Sequence, residues 1–408
     1  MSIPNNKKTI AIIGSGPAAL MLAAQLDHRL FDVVIYEKNA APARKFLVAG
    51  EGGFNLTHSE PLEPFIARYI PATFLERSLR AFNNSDLRRW LNTLHIETYV
   101  GSSKRVFPTE GIKPIQVLNA ILKVLTHRRV TIQVKNTWKG WNSEGDLIIE
   151  HHFQDHVMKA DIVVYSLGGG SWSKTGSDGS WLSLFAEHGI TTLPFLPSNC
   201  AYKIEWPEAL REEEGTAIKN IVVYCNDKEK FGELVITSLG LEGGAIYALS
   251  HEIRKQLKDK AVATIYLDLK PGLSLSTIKK ALSNKGIKSN TVILQGELNL
   301  SKVQIALLKT HLKKEEFLDS ATLSNYIKRL PLLVTDTAPL DDAISTVGGI
   351  ALDEVDENFQ LKKMRGHYAI GEMLDWDAPT GGYLLQASFS MGYFLARHLN
   401  QTEEKLQE

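Results

Sequence analysis

Thr9-Ile10-Ala11-Ile12-Ile13-Gly14-Ser15-Gly16-Pro17-Ala18-Ala19 is the stretch on which the fold reading turns. Thr9 to Ile13 is an apolar, partly β-branched run of the kind that makes a buried parallel strand. Gly14 allows a tight turn out of that strand. Ser15 follows it, and Gly16 lets backbone approach a pyrophosphate with no Cβ in the way, while Ala19 takes the close-packing third position. Pro17 suits the first turn of a helix. The helix predicted over 18–28 starts at Ala18 and points its N-terminal N–H groups and positive dipole end at phosphate oxygens. A second apolar strand, Val33 to Tyr36, ends on Glu37, about twenty residues past the glycines, where a carboxylate accepts hydrogen bonds from ribose hydroxyls. A lone G-x-G-x-x-[GA] pattern is weak evidence, but strand, glycines, helix, strand and acid in order are strong. A secretory signal is the competing reading, because Lys7 and Lys8 precede an apolar stretch ending in Ala23-Ala24. Two glycines and a proline interrupt that stretch, and Glu37 would have no role.

The other end of the chain carries a matching half. Tyr368 to Ile370 reads as a short strand with Gly371 and Glu372 at its end, and Gly381-Gly382 precede a helical pattern from Tyr383, Leu384 and Leu385 to His398. A helix start aimed at a flavin pyrimidine edge stabilises the negative charge that develops when the ring accepts hydride. Glu372 is a candidate ribityl contact. A plain core-packing strand and helix would leave the Gly-Gly pair and the acids Asp375 and Asp377 unexplained. The two halves together point to FAD.

Two internal segments fit the same site. Ala43 to Thr57 combines Arg44 and Lys45, which could face a pyrophosphate, with Gly50, Glu51, Gly52, Gly53 and Asn55, where backbone could lie flat against a flavin. An ordinary glycine turn with solvated charges accounts for the same residues equally well. Val163 to Gly169 places Gly168 at the C-terminal end of a predicted parallel strand, the edge at which ligands sit in open α/β sheets. A structural glycine turn remains open there too.

A chain of 408 residues suggests more than one domain. Lys plus Arg and Asp plus Glu are equal at 46 each. That balance does not advertise nucleic acid, whose partners carry a basic face. Cys200 and Cys225 are the only cysteines, which leaves neither a disulfide framework nor a C-x-x-C dithiol. No apolar run reaches the roughly eighteen residues of a membrane span, so a cytoplasmic protein without a membrane partner is expected. Oligomeric state is not legible.

Residues 1–193 alternate strand and helix: a helix over 114–126, a strand over 130–134, a hairpin over 137–153 turning at Ser143 to Asp146, and a strand over 160–167. Residues 194–342 read as an insertion, β-rich over 194–272 and helical over 273–342, with Ser274 and Ser276 as candidate N-caps. Residues 343–408 return to the vocabulary of the first part, with a frayed polar tail from Gln401. The expected class is therefore α/β, a split Rossmann-like FAD-binding domain carrying a β-rich and small helical insertion. His58, His95 and His367 are scattered without metal-ligand spacing. His151, His152 and His156 lack a zinc-type partner set. Ser171 and Ser173 lack a nucleophile elbow. Arg105-Val106-Phe107-Pro108 could line a pocket, although a surface loop is the expected reading.

These motifs, with Thr175-Gly176-Ser177-Asp178-Gly179 and Thr346-Val347-Gly348-Gly349-Ile350, resemble the HI0933-like, or YhiN-like, FAD-dependent flavoproteins, related to the BaiN-like reductases of bile-acid intermediates. The resemblance runs over nearly the whole chain. It implies an FAD domain of glutathione-reductase type and places Gly14 to Ala18, Glu37, Lys38, Arg44, Gly50 to Gly52, Val134, Gly371, Glu372 and Gly382 to Leu385 around FAD. One departure matters. Many relatives have Arg-Cys-Asn where this chain has Gly53-Phe54-Asn55, so no chemistry of that cysteine carries over.

The expected activity is an FAD-dependent oxidoreductase that passes hydride through flavin N5 to an unsaturated or otherwise reducible small molecule, with NAD(P)H as donor. No second strand-glycine-helix motif is present for the nicotinamide. An FAD-dependent RNA-modifying enzyme and a non-enzymatic flavin redox sensor are the rival readings. No catalytic acid or base is assigned.

Overall fold

The computed structural model describes residues 7–48, 53–284 and 286–407. The chain separates into two compact units, one running to Leu196 and resuming at Ser345, the other spanning Pro197–Ile344.

Unit 1 contains strands β1 (Lys8–Ile13), β2 (Phe31–Glu37), β3 (Thr57–His58), β4 (Thr98–Val100), β5 (Arg105–Pro108), β6 (Thr131–Val134), β7 (Ile162–Tyr165) and β8 (His367–Ala369). The helices that bear on the site are α1 (Pro17–Gln25), α2 (Arg44–Val48), α3 (Pro114–His127) and α4 (Tyr383–Gln407). The main sheet has the order β8-β7-β1-β2-β6 and is parallel throughout. Burial on both faces explains why β1 carries the unbroken apolar run Ile10 to Ile13, all buried. The chain builds to one side of β1 with β2 and β6, then crosses to the other with β7. That reversal is the switch point at which such sheets bind ligands.

Helix α1 is apolar all round because every residue from Ala18 to Ala24 is buried. It ends at Gln25, short of the predicted 28, because Leu26 turns extended and the Asp27 N–H donates to Asn400 Oδ1 at 3.0 Å. Helix α4 lies against it at Gly392, where an added Cβ would overlap the Ala18 carbonyl oxygen. The tail expected to fray from Gln401 is instead helical to Gln407, since Glu403 is buried and pairs with Lys8 Nζ at 2.6 Å. The predicted hairpin gains a third strand, Gln154–Met158, whose mostly exposed residues carry no alternation to read. Arg105 to Pro108 forms the middle strand β5 of a small sheet with β3 and β4, with Val106 and Pro108 buried, and is not a surface loop.

Unit 2 has a core of its own beneath a seven-stranded sheet. Helices occupy residues between 275 and 328, and Ser274 caps the first by accepting from the Thr277 N–H. Ser276 lies inside that helix and does not cap it. Within the stretch read as helical, Leu330–Val334 and Asp336–Thr337 return to the sheet. Pro331 fits there because its strand lies at the edge of the sheet, paired among the described residues with Ala263–Asp268 alone.

Two outcomes follow from this packing. Gly392→Ala forces helices apart and is expected to cost about 1–3 kcal/mol, read as a lower denaturation midpoint. Burial holds the His367 imidazolium down to about 4 from 6.5, so the folded state resists its protonation. The stability this contributes is complete above pH about 6.5 and is lost as pH falls toward about 4. His367→Asn is expected to flatten that limb of the stability–pH curve.

Candidate cofactor site

Strand register brings the predicted glycines and acids to one edge. Ile13 pairs with both Tyr36 and Tyr165, Glu37 pairs with Val134, and Tyr165 pairs with Ala369. Gly14, Glu37, Val134, Gly168 and Gly371 therefore stand at or just beyond the C-terminal ends of the five strands. Gly14 has φ +94° and donates to the Tyr36 carbonyl at 2.8 Å, and any Cβ there would overlap the Ser166 carbonyl oxygen. Gly16 is different. Its backbone is extended at the start of α1 beside Pro17, and an added Cβ meets no atom of the described residues within 4 Å. Space in front of a helix N-terminus is what a phosphate group requires.

At the end of β2, the buried Glu37 carboxylate organises the next loop. Ser15 Oγ donates to Oε2, while the Asn39 N–H and side-chain amide donate to Oε1 at 2.7 and 2.8 Å. The Ala43 N–H closes the loop on Ser15 Oγ at 3.1 Å. Oε1 accepts two hydrogen bonds, whereas Oε2 accepts one and keeps a second lone pair for a hydroxyl ligand. Lys38 Nζ pairs with Asp178 at 2.8 Å, the Asn39 amide reaches the Thr175 carbonyl, and Arg44, exposed, donates to Asn39 Oδ1 at 3.2 Å. The Thr175 to Gly179 motif is thereby tied to this end of the site.

Lys45 crosses to the other end. Its Nζ donates to Glu372 Oε2 at 3.1 Å and to Ser171 Oγ at 2.9 Å, and the Thr346 N–H donates to Glu372 Oε1 at 3.1 Å. Ser171, set aside as a nucleophile, is a tether for Lys45. Gly168 has φ +73°. Ser177 Oγ donates to the neighbouring Gly169 carbonyl at 2.9 Å. Asn55 donates to the Gly53 carbonyl at 3.1 Å. Gly50, Glu51 and Gly52 lie outside the described residues.

The start of α4 abuts β3 and β5. A Cβ on Gly382, at φ +100°, would overlap the Thr57 backbone, and one on Gly381 would lie 3.2 Å from Arg105 Nε. Leu384 and Leu385 are half-buried in the first turn. The Tyr383 hydroxyl donates to the buried Glu60 carboxylate, which also takes two hydrogen bonds from Arg68 at 3.2 and 3.1 Å. The Tyr383 ring stacks on His58 at 5.3 Å, and Tyr69 donates to the Tyr383 carbonyl at 2.9 Å. Burial opposes charge on Glu60, but its bonds from Arg68 and Tyr383 outweigh this and hold the carboxyl below its usual range. Burial, then Glu60, pushes the Tyr383 phenol up. His58, Glu60, Arg68 and Tyr69 meet only through tertiary folding, and their spacing offers no signal. Thr57 Oγ1 and Gln386 Oε1, both buried near this helix start, have no hydrogen-bond partner among the described residues. Orphaned polar atoms beside a glycine-lined approach fit a polar ligand there. Among the described residues no His, Cys, Asp and Glu cluster could hold a metal ion, and no helix is long and apolar enough to cross a membrane.

The family model described as the HI0933-like protein Rossmann domain matches residues 8–398. The chain belongs to this family. It is an FAD flavoprotein family with an α/β Rossmann-like fold. The chain is 25% identical over 415 residues to a 3-dehydro-bile acid delta(4,6)-reductase of Clostridium scindens, covering 95% of this chain and 98% of that protein. It is 23% identical over 418 residues to a ribosomal RNA dihydrouridine synthase of Haemophilus influenzae, covering 96% and 98%. Among solved structures, an open flavocytochrome c3 fumarate reductase superposes with a TM-score of 0.50 at 14% identity, covering 98% of this chain and 79% of that one. A 3-ketosteroid-delta4-(5alpha)-dehydrogenase from Rhodococcus jostii superposes with a TM-score of 0.50 at 10% identity, covering 99% and 98%. These two likenesses are of fold.

Glu60→Leu strands the Tyr383 hydroxyl and Arg68, and is expected to cost about 1–3 kcal/mol at neutral pH. Because the Glu60 carboxyl is held low in the folded state, its contribution is present above the usual carboxylate pKa of about 4.3 and is lost as pH falls below it. The penalty of the variant, measured by denaturant unfolding, should therefore shrink in acid.

Proposed function

We propose that this protein is an NAD(P)H-driven, FAD-dependent reductase that adds hydrogen to an unsaturated small molecule. The observation that carries the reading is the convergence of both chain ends on one sheet edge, with open space before α1 at Gly16 and orphaned polar atoms at the start of α4. Bound FAD supplies the hydride chemistry, and the protein supplies position and electrostatics. In this reading the N–H groups at the start of α1 hold the pyrophosphate, with Gly14 to Ala18 shaping the approach. Glu37 orients the ribose. The Lys45–Glu372 pair positions the ribityl chain, and Val134 and Gly168 border the cofactor from the strand ends. Gly381 and Gly382 bring the first N–H groups of α4, from Tyr383 to Leu385, to the pyrimidine edge, where a helix N-terminus stabilises negative charge.

The names of the relatives support a reductive reaction. One is a reductase of delta(4,6) bile acids and the other a synthase of dihydrouridine, the hydrogenated form of uridine. A small molecule is favoured over RNA here because acidic and basic residues balance at 46 each. With no second dinucleotide motif, donor and acceptor use one cleft in turn.

Anaerobic addition of NADPH or NADH is expected to bleach the bound-flavin spectrum, and a conjugated enone is expected to restore it, with ping-pong steady-state kinetics. Flavin that stays oxidised with both nucleotides overturns the donor assignment. A salt-sensitive mobility shift with ribosomal RNA, together with no turnover of enones, would move the substrate to nucleic acid.

A further inference from the structure

The small sheet β3-β5-β4 presents a face that the cofactor reading does not use. Register sets His58 opposite Arg105 and Tyr99 opposite Phe107. Side chains alternate along a strand, so these four residues share one face, while Val106 and Pro108 are buried on the other. Tyr99 and Phe107 are stacked with centroids 5.7 Å apart, and Tyr99 is 49% exposed, so a flat aromatic wall remains open. The wall ends at glycines. An ideal Cβ on Gly53 would lie 3.6 Å from the Phe107 ring, and one on Gly381 would lie 3.2 Å from Arg105 Nε.

Arg105 is the unusual member. Its neighbour Lys104 is exposed to solvent, whereas Arg105 is half-buried. Among the described residues its guanidinium has no hydrogen-bond or ion-pair partner, although the protein pairs many of its other half-buried cations, including Lys38, Lys45 and Lys328. A partly desolvated guanidinium is a costly group to leave unpaired, and its planar fork matches a carboxylate.

We propose that this face is the substrate wall of the flavin site and that it selects a flat, apolar molecule bearing a carboxylate, which Arg105 holds while Tyr99 and Phe107 cover the apolar body. The proposal rests on the FAD reading above, because Gly381, against which Arg105 lies, begins the glycine pair assigned to the flavin. Arg105 is a binding residue in this scheme.

The test is equilibrium dialysis of the FAD-loaded protein with cinnamate and with its neutral isostere cinnamamide. Wild-type protein is expected to bind cinnamate at least tenfold more tightly than cinnamamide. Arg105→Gln should weaken cinnamate by about ten- to hundredfold and leave cinnamamide unchanged. Arg105→Lys should recover part of the loss, since an ammonium holds a carboxylate without the fork. Tyr99→Ala should weaken both ligands alike. FAD content should match wild type in all three variants. Equal binding of the two ligands by wild type, or undiminished cinnamate binding by Arg105→Gln, overturns the proposal while leaving the flavin reading intact. Loss of FAD from Arg105→Gln would instead give the guanidinium to the cofactor and also overturns it. Wild-type protein that takes up no FAD overturns both.

Discussion

The close approach of α1 and α4 at Ala18 is the contact on which the rest of unit 1 depends. Gly392 has no side chain, so the α4 backbone reaches the Ala18 carbonyl, and the same alanine faces Gly371, where an added Cβ would come within 3.4 Å of its methyl group. The segments at Gly371 and Gly392, both hundreds of residues beyond Ala18 in sequence, thus meet on that one small residue. With β8 held beside β7 and β7 beside β1, the acid and glycines of the last segment stand at the same sheet edge as the first glycine loop. Larger side chains at these positions would separate the halves, because interiors packed at crystal-like density have little room to yield.

Around that contact, polar groups are arranged before any ligand arrives. Glu37 is held by Ser15 and Asn39, Glu372 by Lys45 and the Thr346 N–H, and Glu60 by Arg68 and Tyr383. Each carboxylate is thereby fixed in orientation by at least one partner distant in the chain, Ser15 for Glu37, Lys45 for Glu372 and Tyr383 for Glu60. Fixed groups stabilise developing charge without reorganising during a reaction, and this is the general advantage of such networks. The helix start at Tyr383 is tied at both ends, by its hydroxyl to Glu60 and by its carbonyl to Tyr69.

Much of this was legible in the residues. The run Thr9 to Gly16, the acid at Glu37 and the Gly-Gly before Tyr383 each declare a local geometry, and strands and helices formed near the predicted bounds. What escaped was held together by tertiary contact. Strands β3, β4 and β5 are two to four residues long, too short for periodicity, so Arg105 to Pro108 read as a loop. His58, Glu60 and Arg68 gather around Tyr383 from across the chain, and Ser171 gains its role only because Lys45 reaches it. Polarity after Gln401 suggested fraying, yet one buried acid, Glu403, pins that turn to Lys8. Phe54 is buried edge-on against Phe46 at 5.0 Å as part of the core.

The claim that both chain ends build one FAD site is tested most directly at Gly16. Its backbone conformation suits any residue, and an added Cβ there meets no atom of the described residues within 4 Å. Gly16→Val should therefore fold with the melting behaviour of the wild-type apoprotein, yet its side chain would fill the space before α1 that the pyrophosphate needs. The measurement is FAD content by visible absorbance after reconstitution, alongside that melt. A folded variant without flavin is the predicted result. A folded variant that retains a full complement of FAD would contradict the account.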